Sequence, residues 1–192
     1  ARSTAYFAPP AWEDLPEETV ALDRLRKAQP AFDAWYRANV VGHRTPGYAI
    51  VNLSLKSPGI APGDLTAEQM DRVADLADRF SLGELRVSHR QNLVFTDVRQ
   101  KELHELWTEL ARISLATANI GTLTDIVACP GLDFCSLANA RAIPVAQDIS
   151  RHFSDAATLQ DIGELTINIS GCMNACGHHH VGHIGILGVE KK

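Results

Sequence analysis

The sequence predicts an α+β fold, and two observations carry this prediction. Apolar residues recur at helical spacing in the segments 66–80 and 100–113, as expected for helices that bury one face. The segment 48–55 is enriched in β-branched residues, as expected for a strand, and the segments 84–88 and 92–98 are predicted as two further strands joined by a short turn. Helices and strands are therefore mixed along the same stretch of chain.

The order of these elements specifies the plan of the sheet. If the apolar segment 123–128 is a strand, the elements from Tyr48 onward follow the order β-α-β-β-α-β. This order is typical of the split βαβ or ferredoxin-like plan. We expect an antiparallel sheet with both helices on one face, and a capping box formed by Thr66 and Gln69 at the start of the first helix.

Further elements are predicted on either side of this unit. The segment 17–39 has a helical pattern that Pro30 interrupts, because proline lacks the backbone donor that a helix interior needs. The segment 137–153 also has a helical pattern, and Pro144 is expected there at a kink or a helix break. Two more strands are predicted, at 164–169 and 183–189.

The composition excludes several classes of partner. Of the 192 residues 45% are hydrophobic and 21% are charged, enough for one sizeable core or two small ones. The net charge of -5 argues against nucleic acid or an anionic membrane as a partner. No apolar run approaches the roughly 20 residues of a membrane span, and the N-terminus lacks a secretory pattern. We therefore expect a cytoplasmic protein.

The ends of the chain predict a fragment of a longer protein. The chain begins at Ala1 rather than at a methionine, and it stops at Lys192 directly after a predicted strand. Residues that would complete a functional site are then expected outside this sequence, and the chain alone is expected to be inactive.

Four cysteines form two pairs in glycine-containing loops. Cys129 and Cys135 are spaced C-x5-C, and Cys172 and Cys176 are spaced C-x3-C. Each pair follows a predicted strand, so two loops of one sheet can supply four converging thiolates. A [4Fe-4S] cluster needs four such ligands, and glycines let the backbone approach its sulfides closely. The pattern therefore favours an iron-sulfur site.

Other interpretations of the cysteines stay open from the residues alone. Structural zinc usually binds paired cysteines two to four residues apart, and the first pair here is wider. Buried free cysteines and disulfides are further alternatives. Packing alone does not explain why all four thiols lie in turns that contain glycine or proline.

The cysteine loops resemble the signature of a known family. The sequences TDIVACPGLDFCSLANA at 124–140 and NISGCMNACGHHHVGHIGILG at 168–188 are similar to the nitrite/sulfite reductase haemoprotein family. The segment 47–116, which contains LRVSHRQNLVF, resembles the sheet unit in the second half of that family. The resemblance covers most of the chain.

The resemblance implies both the domains and the cofactors. It divides the chain into a linker with an N-terminal helix at 1–46, a ferredoxin-like half domain at 47–127 and a partial α/β domain at 128–192. The last part would bind sirohaem and a [4Fe-4S] cluster. All four cysteines would bind the cluster, and Cys176 would also be the axial ligand of the sirohaem iron.

One turn carries the candidate contacts with sirohaem. The cofactor bears many carboxylates and its substrates are anions, so basic and amide side chains are expected around it. This turn, which the family places near the cofactor, contains Arg86, His89, Arg90, Gln91 and Asn92. We expect it to contact the sirohaem carboxylates, and a solvated hairpin is the alternative.

Polar residues also surround the second pair of cysteines. Asn174 lies inside the C-x3-C loop and is expected to orient the loop backbone. The histidines at 178–180 and His183 are expected to form hydrogen bonds near the cofactor. An exposed loop and a separate metal site are the alternatives for these histidines.

The resemblance implies an oxidoreductase that reduces sulfite to sulfide, or nitrite to ammonia, by six electrons. The choice of substrate stays open, and electrons are expected from ferredoxin or a flavoprotein reductase. One alternative is a non-catalytic iron-sulfur electron carrier, although the compact C-x2-C-x2-C run of such carriers is missing. A zinc-stabilised binding domain is the other alternative.

Overall fold

The computed structural model describes residue 8 and residues 10–190, which fold into two β-sheets with helices packed on them. The helices are α1 (Thr19–Ala28), α2 (Pro30–Asn39), α3 (Ala67–Phe80), α4 (Leu103–Arg112), α5 (Ile143–His152) and α6 (Ala156–Ile162). The strands are β1 (Val40–Gly42), β2 (Tyr48–Leu53), β3 (Leu85–Val87), β4 (Leu93–Arg99), β5 (Val127–Ala128), β6 (Ile167–Ser170) and β7 (Ile184–Leu187). The predicted α+β class is confirmed. Among the described residues, no helix is long and apolar enough to cross a membrane.

The first sheet is antiparallel and has the strand order β1-β2-β4-β3. Helices α3 and α4 both pack against it in one hydrophobic core, as the sequence predicts. Helix α2 joins this core through Phe32 and Trp35, whose side chains are fully buried. Residues 30–42 belong to the segment expected as a linker with an N-terminal helix, and this helix packs in the same core as the sheet.

The fourth strand of the first sheet differs from the prediction. This position is taken by β1, which pairs with β2, whereas residues 123–126 form turns and β5 pairs with β6 in the second sheet. The cause is Asp125, which is fully buried and accepts a hydrogen bond from the N–H of Gly121 at 3.0 Å. Because a buried carboxylate needs such donors, the chain folds back at this point instead of extending.

The second sheet is parallel and has the strand order β5-β6-β7. Helices α5 and α6 connect β5 to β6, and they pack in a second core with Ile126, Ile167 and Ile169. In open sheets of parallel strands, ligands bind in the loops beyond the carboxyl ends of the strands. Both cysteine loops lie at this edge, because they follow β5 and β6.

Two prolines stand where helices begin. Pro30 is the first residue of α2 and separates it from α1, which confirms the predicted interruption. Pro144 lies in the first turn of α5, where the backbone N–H groups have no partner within the helix. At the start of α3, Thr66 and Gln69 form the predicted capping box.

Candidate functional site

The first cysteine loop begins directly at the end of β5. The N–H of Cys129 donates to the carbonyl of Ile169 on β6 at 3.0 Å, so this cysteine continues the strand pairing. The chain then turns at Gly131, whose φ of +61° is readily adopted only by glycine. The N–H of Cys135 donates to the carbonyl of Gly131 at 2.9 Å, which closes the C-x5-C loop into a compact turn.

The second cysteine loop is held against β6 by polar side chains of that strand. The N–H of Gly177, which follows Cys176, donates to the hydroxyl of Ser170 at 3.1 Å. The side-chain amide of Asn168 donates to the carbonyl of Gly177 at 3.1 Å, and it also donates to the carbonyl of His178. These bonds fix the end of the C-x3-C loop on the strand that precedes it.

The two cysteine loops touch each other through their backbones. The N–H of Gly171 donates to the sulfur of Cys129 at 3.0 Å. The N–H groups of Asn139 and Ala140 both donate to the carbonyl of Gly171, at 2.8 and 3.0 Å. No side chain fits at this contact, because a Cβ on Gly171 would lie 2.9 Å from the Cα of Gly131. The two loops that carry the cysteine pairs therefore contact each other closely at Gly171.

The four thiols differ in their exposure to solvent. Cys129 and Cys172 are buried, Cys135 is half-buried and Cys176 is exposed. All four are free thiols, so they form no disulfide. Beside them, the apolar side chains of Phe134 and Met173 are 82% and 85% exposed.

The donor set of these loops fits an iron-sulfur cluster. Such a cluster binds each of four thiolates at a different iron, and its properties depend on hydrogen bonds to the sulfurs. The N–H of Gly171 already points at the sulfur of Cys129, and two touching loops supply all four thiols. Across residue 8 and residues 10–190, no three His, Cys, Asp or Glu side chains are arranged to hold a single metal ion.

Three residues of the turn between β3 and β4 contact the segment that leads to the first cysteine. Arg90 donates from Nε to Oδ2 of Asp125 at 3.3 Å, and Asn92 donates from Nδ2 to Oδ1 of Asp125 at 3.0 Å. Between them, Gln91 donates from Nε2 to the carbonyl of Ala128 at 2.7 Å. The structure thus places these three predicted residues beside the cysteine loops, engaged with the protein itself.

The other two predicted residues of this turn are exposed. Arg86 lies on the edge strand β3 and forms an ion pair with Glu84, while its own side chain is 65% exposed. His89 is exposed at the tip of the turn. Contacts of the turn with sirohaem carboxylates stay a prediction.

A buried ion pair lies under the same turn. The side chain of Lys56 is 2% exposed, and its Nζ donates to Oδ1 of Asp125 at 2.7 Å and to the carbonyl of Arg90. Burial lowers the pKa of Lys56, and the negative charge of Asp125 opposes that effect. Because an unpaired buried charge is costly, this pair fixes the chain just before β5.

The residues that follow the second cysteine pair are arranged differently from the prediction. Asn174 is exposed, and the orienting role predicted for it stays a prediction; the asparagine that donates to the loop carbonyls is Asn168. His183 contacts the N–H of Thr166 through Nδ1 at 3.1 Å, at the end of β6 opposite to the cysteines. Parallel pairing explains this position, because β7 must begin beside the start of β6. Cofactor contacts of the histidines at 178–180 stay a prediction.

Four polar residues that organise the site were not predicted: Lys56, Asp125, Asn168 and Ser170. For the two on β6 a signal exists, because polar residues alternate with isoleucines in a strand whose four positions are all buried. A polar group in such a strand needs a partner. The charged pair carries no comparable signal, because lysine and aspartate are exposed at most positions in proteins.

Known proteins share the sequence and the fold of this chain. Residues 43–113 match the family model described as the nitrite/sulfite reductase ferredoxin-like half domain. The ferredoxin–nitrite reductase of Synechococcus elongatus is 30% identical over 174 residues, which are 88% of this chain and 32% of that protein. The chain belongs to the nitrite/sulfite reductase family.

Other members of the nitrite/sulfite reductase family are similar to a comparable degree. Sulfite reductase [ferredoxin] 2 of Mycolicibacterium paratuberculosis is 30% identical over 140 residues, 70% of this chain and 25% of that protein. The structure of the Mycobacterium tuberculosis NirA protein covers 74% of this chain and 26% of its own, with a TM-score of 0.59 at 25% identity. The chain therefore spans between 25% and 32% of the length of these relatives.

Proposed function

We propose that this chain is the cluster-binding part of a sirohaem-dependent enzyme that reduces nitrite to ammonia or sulfite to sulfide. The observation that carries the proposal is the backbone contact between two cysteine loops at the carboxyl edge of a parallel sheet. Membership of the nitrite/sulfite reductase family supports it, as do relatives that are named ferredoxin–nitrite reductase and sulfite reductase.

The four cysteines are the proposed ligands of a [4Fe-4S] cluster, with Cys176 shared between the cluster and the sirohaem iron. The exposure of Cys176 supports this division, because a shared sulfur must be reachable from outside the two loops. When bound, the coupled cofactors would pass electrons singly to the substrate. Within the chain, Gly171 donates to the sulfur of Cys129, and Ser170 and Asn168 hold the loop that carries Cys176.

The remaining partners follow from the chemistry and from the relatives. Arg86 and Arg90 are the candidates for contacts with the sirohaem carboxylates, since guanidinium groups bind carboxylates well, and Gln91 and Asn92 belong to the turn that would bring them near the cofactor. A small anion, nitrite or sulfite, is the proposed substrate. Two relatives carry ferredoxin in their names, which supports ferredoxin as the electron donor, with a flavoprotein reductase as the alternative.

Metal analysis of the anaerobically purified protein tests the proposal. We expect about five irons and about four acid-labile sulfides per chain, together with the absorption bands of sirohaem. Changing Cys172 to serine should abolish the sulfide content, whereas the control Ser136→Ala, at an exposed position in the other loop, should retain it.

Two other results would replace the proposal. Four irons with sulfide but without sirohaem absorption would indicate a non-catalytic electron carrier. Stoichiometric zinc without sulfide would indicate a zinc-stabilised binding domain and would exclude the iron-sulfur site.

A further inference from the structure

The side chain of Gln91 completes the pairing of the strand that leads to the first cysteine. Its Nε2 donates to the carbonyl of Ala128 at 2.7 Å, and its Oε1 accepts from the N–H of Ala128 at 3.0 Å. These are the two hydrogen bonds that a neighbouring strand would make with this residue. Ala128 directly precedes Cys129 in the chain.

Strand β5 depends on this side chain because it is short and lies at an edge of its sheet. It consists of Val127 and Ala128 alone, and its partner strand, β6, lies on one side only. On that side Cys129 donates to Ile169 at 3.0 Å. On the other side the carboxamide of Gln91 satisfies both backbone groups of Ala128. Ala128 is therefore held on the Gln91 side of the strand, and the next residue, Cys129, is held on the β6 side.

The backbone of Gln91 is strained in a way that serves this contact. Its φ is +57°, in the left-handed region that residues other than glycine rarely occupy. Such strain persists only where the surroundings enforce it. Here the side chains of both neighbours, Arg90 and Asn92, are bound to the buried Asp125, and the N–H of Gln91 donates to Ser88 at 3.2 Å.

We propose that Gln91 is a positioning residue, whose carboxamide fixes the direction in which Cys129 presents its thiolate to the iron-sulfur cluster. This inference rests on the proposed function. It assigns Gln91 a role different from the sirohaem contact predicted from the sequence, because both ends of its carboxamide are bound to Ala128. Groups that orient a metal ligand in this way commonly change metal affinity by roughly tenfold or more when they are removed.

The variant Gln91→Met tests the inference, because methionine has a similar length but cannot form either hydrogen bond. The control is Gln160→Met, at an exposed position on α6. Three quantities are measured in the purified protein: amide hydrogen exchange at Ala128, the chelator concentration that removes half of the cluster iron, and the electron paramagnetic resonance of the reduced cluster. A thermal unfolding curve of each variant accompanies them.

We expect Gln91→Met to exchange the Ala128 amide faster and to lose cluster iron at a roughly tenfold lower chelator concentration. The g values of its reduced cluster should shift, while Gln160→Met behaves as the unchanged protein. Gln91→Glu keeps the acceptor for the Ala128 N–H but places a carboxylate oxygen against the Ala128 carbonyl, so its cluster should also lose iron at a lower chelator concentration.

Three results separate the possible failures. An unchanged cluster in a folded Gln91→Met protein overturns the positioning role and leaves the proposed function standing. Lower thermal stability with unchanged g values and chelator resistance in both Gln91 variants assigns the residue to folding only, which also overturns it. Absence of a cluster in the unchanged protein and in Gln160→Met overturns the proposed function and this inference together.

Discussion

At the scale of single residues, Asp125 is where contacts from several parts of the chain converge. Its two carboxylate oxygens accept hydrogen bonds from Lys56, Arg90, Asn92 and the N–H of Gly121. The donors lie in loops and turns beside the first sheet, and Asp125 itself leads into β5. The buried charge thus links the antiparallel sheet to the strand that carries the first cysteine.

Removing the positive partner of this buried carboxylate should destabilise the protein. We expect Lys56→Met to lower the free energy of unfolding by about 3 kcal/mol, because one partner of a buried ion pair is lost while the other stays buried. The exposed Lys101→Met is the control, with a change within about 0.5 kcal/mol. Urea unfolding of both variants gives the comparison, and equal stabilities would show that the pair contributes nothing.

Site residues could be predicted from the sequence only where reactive side chains recur at a recognisable spacing. The four cysteines are recognisable as candidate ligands from their two spacings and their glycine-containing turns. Lys56 and Asp125 are 69 positions apart in the chain, so only the fold brings them together. The two hydrogen bonds of Gln91 cannot be predicted from the sequence either, because they require the side of β5 away from β6 to face the turn that contains Gln91.

At the scale of elements, the loop after Cys176 is fixed by close packing on β6. A Cβ added to Gly177 would lie 1.9 Å from the carbonyl oxygen of Ile169. That same oxygen accepts the N–H of Cys129. A side chain at this glycine would therefore disturb both cysteine loops through one atom.

This packing gives a prediction for Gly177→Ala. Overpacking should lower the free energy of unfolding by about 1–3 kcal/mol, and the cluster content should fall because the Ile169 carbonyl can no longer hold Cys129. The control is Gly42→Ala, since nothing lies within 4 Å of a Cβ built at Gly42. Denaturation and sulfide assays on the two variants provide the measurement. Full cluster content in Gly177→Ala would show that the loops tolerate the displacement.

Helices and strands could be predicted where the periodic pattern of apolar residues is long, and they could not where it is short. The helix at 66–80 and the strand at 48–55 were recognised because many residues share their period, and both are present as α3 and β2. The edge strand β1 has three residues, too few to show an alternation. The segment 123–128 has the apolar content of a strand, but the chain turns at the buried Asp125, and only its last two residues form a strand.

At the scale of the whole molecule, an antiparallel sheet with its own core supports a smaller parallel sheet that carries the cysteines. The turn between β3 and β4 joins the two, through Asp125 and Ala128. The matched half domain at 43–113 corresponds to the first of these units. We therefore propose that the ferredoxin-like sheet supports the site and that the redox chemistry belongs to the loops of the parallel sheet.

A Mössbauer spectrum of the anaerobically purified, isotopically enriched protein tests whether a cluster is joined to a haem through Cys176. We expect the irons of the cluster to be magnetically coupled to the haem iron, because one sulfur would bind both. A cluster and a haem iron with independent spectra, or a cluster without any haem, would contradict it.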